Sequence, residues 1–298
     1  MTGLWGSVLT AMVTPFDAHG ELNLDGACRL ARWLAANGTE AIVVAGTNGE
    51  ASTLSDAERF DLIKAVAEAV TIPVIAGMGT NDTRHSIELT RQAASLGAAG
   101  VMAVGPYYNR PPQEGIEAHY RAIADATKLP VMLYDVPGRT GRRIAHEVLV
   151  RLFRDVSNIV AFKDATGDPA GAAALIAEVG EFYDHYSGDD SLTLPLLAVG
   201  AAGVVGTATH WAGPEFAAMI AAYNRGDVIK ARQINASLMN TFAFSNTETS
   251  VFSMSIKAMM RTLDIPVGEC RLPLPPAPAG KEDEARRVWA QLRANKSL

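Results

Sequence analysis

The feature that most constrains the fold is a regular alternation of short apolar runs with helical segments. Each run is continuous and rich in β-branched residues, as is typical of parallel strands buried on both faces. Successive runs start about 20–33 residues apart, the length of one strand-helix-strand unit. Seven strong runs and a weaker one, Phe182–Tyr186, are present; the strong ones are Val8–Val13, Ala41–Ala45, Pro73–Ala76, Val101–Val104, Val131–Tyr134, Ile159–Phe162 and Gly203–Val205.

Amphipathic helical segments separate these runs. Ser55 and Glu58 predict a capping box at the start of one helix, and Gly97 is placed to end the next. Eight strands and eight helices use the chain up to about Arg225, and a closed barrel accommodates all of them without an edge strand. An open doubly wound sheet would need a reversal of strand order. We therefore predict an α/β fold, a (β/α)8 TIM barrel with a C-terminal helical extension.

The predicted domains are a catalytic barrel over residues 1–226 and a helical extension over residues 227–298 that packs on it. The Pro-rich segment 272–280 is expected to be an irregular connector, because proline lacks an amide donor and fixes φ. Helices of the extension are expected at 229–242, 251–263 and 282–294.

Composition and spacing disfavour several classes of protein. The chain is 48% hydrophobic with a formal net charge of −6, and it shows no basic stripe for nucleic acid. It has no run of about 18 apolar residues and no basic start followed by a long apolar run, so neither a membrane span nor a signal peptide is expected. The six histidines show no metal-ligand spacing, and Cys28 and Cys270 are expected to be buried or inert thiols. No nucleotide-binding glycine fingerprint is present. We therefore expect a cytoplasmic protein that acts on small molecules without a metal or a diffusible cofactor.

Polar residues follow four of the predicted strands, where the functional groups of a barrel collect. Glycines around Thr47 and Asn48 would let backbone amides approach an anion. The four segments are Gly46–Glu50, Pro106–Asn109, Tyr134–Gly141 and Phe162–Gly167. Their convergence on one end of the barrel predicts an active site there.

Two lysines have apolar neighbours. Lys163 ends the sixth run, so its stem should start inside the barrel, where desolvation lowers the pKa of an amine and prepares it to attack a carbonyl. By itself this segment fits equally well a lysine that reaches solvent or pairs with Asp164. Lys257 has helical spacing and is predicted to be a surface lysine whose amine reaches solvent.

The other candidates are hydroxyls and one guanidinium. Tyr134 ends the fifth strand and could relay protons, although a core tyrosine with a satisfied hydroxyl is the favoured interpretation of that residue alone. Thr47 and Tyr108 have a similar status. Arg139 could bind a carboxylate through two parallel hydrogen bonds, although most arginines in loops are merely solvated.

Taken together, these segments resemble the dihydrodipicolinate synthase / N-acetylneuraminate lyase family of pyruvate-dependent class I aldolases. The resemblance runs from about Gly6 to Leu274 and rests on the G-[ST]-x-G-E loop, the Y-x-[VI]-P turn and the strand-ending K-[DE], in that order. It implies that Lys163 forms a covalent imine with pyruvate, that Tyr134 relays protons and that Thr47 supplies the loop hydroxyl.

The resemblance implies further roles. Tyr108 would enter the active site of a neighbouring subunit, which implies a homotetramer built as a dimer of dimers. Gly188 would line the pyruvate pocket and Val205 would lie opposite it. Asn48 would offer its backbone N–H to the pyruvate carboxylate, and its side chain, larger than the usual threonine, would alter the pocket of the second substrate.

The branch of the family follows from Arg139, which resembles the arginine with which dihydrodipicolinate synthases hold aspartate 4-semialdehyde. Condensation of this aldehyde with pyruvate, a step of lysine and diaminopimelate biosynthesis, is the preferred prediction. Asn48 also resembles 4-hydroxy-2-oxoglutarate aldolases, so cleavage of a 4-hydroxy-2-oxo acid or a 2-keto-3-deoxy sugar acid to pyruvate is the alternative. A non-catalytic binder of 2-oxo acids is a remote third.

The resemblance also bears on regulation. Synthases inhibited by lysine carry a glutamate just after the third strand, in a pocket at a subunit interface, and this position is His85 here. Asp56 and Arg59 stand in place of the histidines usual nearby. Because an anionic partner for the effector's ammonium is lost, the hypothesis is that lysine inhibits this protein weakly or not at all.

Overall fold

A computed structural model describes residues 3–294 of the chain. Eight parallel strands form a closed barrel in sequential order, with β8 paired to β1. The strands are β1 Val8–Ala11, β2 Ala41–Val44, β3 Val74–Gly77, β4 Gly100–Val104, β5 Val131–Asp135, β6 Ile159–Asp164, β7 Asp184–Ser187 and β8 Gly203–Gly206. Each coincides with one of the predicted runs, so the predicted TIM barrel is confirmed.

Helices connect successive strands and cover the outside of the barrel. Ser55 and Glu58 form the predicted capping box at the start of α2, and Gly97 ends the segment after α3 with φ of 82°. The helices are α1 Leu24–Ala36, α2 Asp56–Ala69, α3 Thr83–Gln92, α4 Gln113–Asp125, α5 Pro137–Thr140, α6 His146–Asp155, α7 Pro169–Val179, α8 Thr193–Leu197 and α9 Thr209–Asn224. Short 3-10 helices lie at Ala51–Thr53, Ala93–Leu96 and Asp190–Leu192.

Side chains alternate between the two faces of each strand, as the pleat requires. On β6, Ala161 belongs to the apolar cluster inside the barrel, whereas Phe162 packs outward against Phe153 of α6. Lys163 therefore points into the barrel and Asp164 points toward the helices. This alternation decides which of two neighbouring charged groups faces the site.

The residues after α9 form four helices, α10 Val228–Ser237, α11 Met239–Ser245, α12 Phe252–Thr262 and α13 Lys281–Ala294. The single helix predicted over 229–242 is thus two helices that meet at Leu238. The segment 272–280 contains no helix or strand, as predicted. None of the helices within residues 3–294 combines the length and apolarity that a membrane span requires.

The extension and the barrel share one apolar core. Phe244, Ile256 and Ala285 of the extension belong to the same buried cluster as Val8 and Ile42 of the barrel. The packing is continuous across residue 226. The division into two domains there stays a prediction.

Candidate active site

The carboxyl ends of the strands open on a cavity of about 280 Å³. Thr47, Tyr134 and Arg139 line this cavity, together with Tyr107 and the buried Arg59. The three predicted residues come from the loops after β2 and β5 and from the end of β5 itself. The closure of the barrel brings them together although they are up to 92 positions apart.

Lys163 lies next to this cavity inside the barrel. Its Nζ is 4.3 Å from the centroid of the Tyr134 ring, and the residue is 5% exposed. Burial lowers the pKa of the amine to about 8, while the negative charge of Asp190 opposes the shift and the positive charge of Arg139 adds to it. At neutral pH, Lys163 therefore supplies far more of the neutral amine that acts as a nucleophile than an exposed lysine does.

Tyr134 pairs with Lys163 in the β5–β6 register, which sets the two side chains beside each other. Burial raises the pKa of the phenol, although the charge of Arg139 and a hydrogen bond with Thr47 counteract this. Tyr134 therefore stays protonated at neutral pH, with its hydroxyl beside Thr47. The Lys163 Nζ lies 4.3 Å from the centroid of the Tyr134 ring. A protonated phenol this near is suited to transferring protons to and from the reacting amine.

Asp164 does not pair with Lys163. It is buried on the outer face of β6, where its Oδ2 lies 3.2 Å from Nε2 of the equally buried His185. Within residues 3–294 the Lys163 amine has no ion-pair partner, so the interpretation of Lys163 as one half of an ion pair with Asp164 is wrong. The pleat explains this, since adjacent residues of a strand face opposite sides.

The side chain of Asn48 is turned away from the cavity. Its Nδ2 donates to the carbonyl of Ala11 at 3.3 Å and to Oγ1 of Thr207 at 3.0 Å, which ties the loop after β2 to β1 and to the loop after β8. The residue is 6% exposed. The amide therefore acts as a cross-link at the barrel mouth, and the expectation that it alters the second-substrate pocket is not supported by contact with the cavity.

Gly188 and Val205 lie at the ends of neighbouring strands. The Gly188 N–H donates to the carbonyl of Asp164 at 2.7 Å, and a Cβ at this position would approach the Ala165 Cβ to 3.0 Å. Val205 is buried in the interior cluster that also contains Tyr134. Close packing beside β6 thus favours glycine at this position, since a side chain would force its neighbours to move.

Tyr108 is separated from the other candidates. It is 92% exposed and has a left-handed φ of 72°, whereas its neighbour Tyr107 lines the cavity of its own chain. Sequence reasoning considered only the second tyrosine. The two tyrosines are adjacent in an irregular loop and point in different directions. Their adjacency in the sequence was the available signal to consider both.

Asp190, which follows β7, is a buried carboxylate that the sequence analysis does not single out. Its oxygens accept hydrogen bonds from the N–H groups of Thr207 and Ala208, at 3.0 and 2.8 Å. Burial raises its pKa to about 6, and the charge of Lys163 lowers it. Asp190 thus fixes the loop after β8 and exerts a field on Lys163. Two acids directly after a strand were the available signal.

Lys257 corrects a prediction. It is fully buried, and its Nζ donates to Oε1 of Glu50 at 2.7 Å and to the carbonyl of Glu269 at 2.9 Å. The prediction of a surface lysine is therefore wrong. Helical spacing identified the helix, α12, but could not show that both the loop after β2 and the connector before α13 cover the face that carries Lys257.

Among the described residues, no group of three or more His, Cys, Asp or Glu side chains is arranged to hold a metal ion. Cys28 and Cys270 are free thiols, as expected. Burial raises the pKa of Cys270 to about 12, which keeps that thiol protonated and unreactive.

Residues 5–292 match the Dihydrodipicolinate synthetase family. The chain belongs to this family. It is an enzyme, a class I lyase of the dihydrodipicolinate synthase type, in agreement with the resemblance found in the sequence.

Individual members are similar over nearly their full length. The 4-hydroxy-tetrahydrodipicolinate synthase of Acidothermus cellulolyticus is 50% identical, over 96% of this chain and 92% of that protein. A second one, from Streptomyces coelicolor, is 50% identical over 91% and 89% of the two chains. The crystal structure of the enzyme from Cyanidioschyzon merolae, with lysine bound, has a TM-score of 0.94 and 42% identity, covering 98% and 99% of the two chains.

Proposed function

We propose that this enzyme condenses pyruvate with aspartate 4-semialdehyde, through an imine between pyruvate and Lys163. The observation that carries the proposal is a buried amine without an ion-pair partner among residues 3–294, set 4.3 Å from the ring of a buried tyrosine. The names of relatives that are 43–50% identical support the same reaction.

The first half of the reaction builds the imine. Neutral Lys163 attacks the ketone carbon of pyruvate, and Tyr134 and Thr47 pass protons as the carbinolamine loses water. Backbone N–H groups of Thr47 and Asn48 hold the pyruvate carboxylate. Gly188 and Val205 leave room for the methyl group of pyruvate. This methyl group then loses a proton to give the enamine, because the protonated imine accepts the electron pair of the broken C–H bond.

The second half forms the carbon–carbon bond. The enamine carbon attacks the aldehyde, whose carboxylate is held by Arg139, and Tyr134 protonates the oxygen that becomes a hydroxyl. The amine of the semialdehyde then displaces Lys163 at the imine carbon and closes the ring. Lys163 is released as the free amine, so no metal and no diffusible cofactor takes part.

The test is to reduce the imine in place. Borohydride added with pyruvate should attach one pyruvyl group to the protein, and peptide mapping should locate it on Lys163. Loss of the adduct in a Lys163→Met variant is the control. An unmodified protein, or an adduct on another lysine, would refute the proposal and favour a binder of 2-oxo acids.

Retro-aldol cleavage remains the alternative because Asn48 replaces the usual threonine. Assays with equal enzyme should compare condensation of aspartate semialdehyde with cleavage of 4-hydroxy-2-oxoglutarate. We expect a higher kcat/KM for condensation, since the relatives that are 43–50% identical are named 4-hydroxy-tetrahydrodipicolinate synthases. A higher value for cleavage would assign the chain to the alternative reaction.

We further propose that Tyr108 completes the site of a neighbouring subunit in a homotetramer. A phenol that is 92% exposed in a left-handed backbone conformation fits this role. Co-expressed Tyr108→Phe and Lys163→Met chains should regain activity that neither variant has alone, because one site of each mixed dimer is intact. No recovery in mixed oligomers would exclude a shared site.

The proposed regulation is insensitivity to lysine. The two His85 Nε2 contacts to the Asp56 carboxylate oxygens are both 3.0 Å, so this acidic group already has a partner. An ammonium would have to displace that partner. Half-maximal inhibition by sub-millimolar lysine would contradict the proposal.

A further inference from the structure

The C-terminal extension holds the loop after β2, and this loop carries the proposed pyruvate-binding amides. The loop is flanked by two non-glycine residues in left-handed conformations, Ala45 with φ of 55° and Glu50 with φ of 54°. Such backbone is strained and persists only where surrounding contacts enforce it. The contacts that enforce it should therefore affect how the loop binds its ligand.

The strongest of these contacts is the pair of Glu50 and Lys257. Both are buried, at 4% and 0% exposure, with 2.7 Å between Oε1 and Nζ. The second carboxylate oxygen of Glu50 accepts a hydrogen bond from the N–H of Arg271 at 2.8 Å. Lys257 also lies 4.3 Å from the centroid of the Phe16 ring, so one amine joins α12, the loop and the segment after β1.

Two further contacts reach the same loop. Ser253 of α12 donates its hydroxyl to the carbonyl of Asn48 at 3.1 Å, and Thr14 donates to the carbonyl of Gly49 at 2.6 Å. Ser253 and Lys257 lie one helical turn apart on the same helix. The extension and the segment after β1 thus contact carbonyl and carboxylate oxygens of the loop, and these contacts involve none of its N–H groups.

We propose that Lys257 is a positioning residue, which acts through Glu50 to hold the backbone amides of Thr47 and Asn48 in the geometry that binds the pyruvate carboxylate. This inference rests on the proposed pyruvate chemistry. Lys257 takes no part in proton transfer, because its amine is enclosed by Glu50, Glu269 and Phe16. Its loss changes how well pyruvate is held, and the chemistry after binding continues.

The experiment measures trapping of pyruvate by borohydride over a range of pyruvate concentrations. Lys257→Met should raise the half-saturating concentration about tenfold or more, the effect of losing a charge-assisted tether, while kcat at saturation changes much less. Lys257→Arg keeps the charge and should recover part of the affinity.

Two variants separate positioning from stability. Glu50→Gln combined with Lys257→Met leaves no unpaired buried charge, so its melting temperature should exceed that of Lys257→Met while pyruvate affinity stays weak. Lys281→Met is the matched control, because Lys281 is 4% exposed, donates to the carbonyl of Phe244 and lies 4.0 Å from the Phe244 ring, away from the loop. It should melt earlier and bind pyruvate as the parent does.

Parent-like half-saturation in Lys257→Met or in the double variant would overturn the inference and leave the proposed function standing. So would an equal loss of affinity in Lys281→Met, since that would show a general effect of destabilisation. If Lys257→Met is insoluble, Lys257→Arg and the double variant decide the question by the same criterion. An absence of trapping in the parent would refute the proposed function together with this inference.

Discussion

Lys163 and Lys257 are both buried, and the Nζ of each lies 4.3 Å from the centroid of an aromatic ring. They differ in whether a carboxylate is in direct contact with the amine. Glu50 is in direct contact with Lys257, whereas Asp190 acts on Lys163 without forming an ion pair and Arg139 repels the charged form. A buried lysine can therefore act as a nucleophile or hold a neighbouring loop in place. Which of the two it does depends on whether a carboxylate is in direct contact with its amine.

Substitution of the two lysines by methionine should have opposite effects. Lys163→Met should reduce kcat by at least about 1,000-fold, as expected when a covalent nucleophile is lost, and should not reduce stability. Lys257→Met should keep catalysis at saturating pyruvate but lose about 3–5 kcal/mol of unfolding free energy, because Glu50 is left buried and unpaired. Kinetics and urea unfolding of both variants provide the check. Similar profiles for the two would remove the distinction.

Tyr134→Phe tests the aromatic partner of Lys163. Loss of the hydroxyl should slow imine formation and condensation about 100-fold, in the range typical of a general acid-base group, while the ring still covers the amine. Single-turnover trapping with pyruvate measures the first step. Phe16→Leu is the matched control, because the Phe16 ring lies beside Lys257 as the Tyr134 ring lies beside Lys163. Its trapping rate should stay within about threefold of the parent's, since no reacting group is removed. A full trapping rate in Tyr134→Phe would assign proton transfer to another residue.

Arg139→Gln should separate the two substrates. The KM for aspartate semialdehyde should rise about 10- to 100-fold, the effect of losing charge-assisted hydrogen bonds to a carboxylate, and pyruvate trapping should continue. The pKa of Lys163 should also rise, since Arg139 no longer disfavours the charged amine. An unchanged KM for the aldehyde would show that its carboxylate is held elsewhere.

The pH dependence follows from the pKa of Lys163, which burial lowers from 10.5 to about 8. The neutral fraction, and with it the trapping rate, should fall about tenfold per pH unit below pH 8. The folded pKa lies below the unfolded one, so the cost to stability is complete below pH 8 and disappears as pH rises toward 10.5. Lys163→Met should therefore be more stable than the parent at pH 7, by up to about 3 kcal/mol. A rate that is flat from pH 6 to 8 would contradict this.

Most of the fold could be predicted because its signals are local. A strand buried on both faces must be apolar throughout, and the capping box at Ser55 and Glu58 lies within four residues. The break at Leu238 could not be predicted, since the apolar periodicity continues through it. Of the candidate site, Lys163, Tyr134, Thr47 and Arg139 could be predicted from the polar segments at and after the strands together with the family resemblance, whereas Asp190 and Tyr107 needed the three-dimensional arrangement.

The sequence by itself determined the barrel, the end of it that carries polar groups and the strand that ends in Lys163, because strand period and strand order are properties of the chain. The tertiary structure alone decided what each charged group touches. Glu50 and Lys257 are 207 positions apart, and Asp164 sits beside Lys163 in sequence but faces the other way. Electrostatic partners are set by distance in space, and that distance exists only once the barrel has closed and the extension has packed on it.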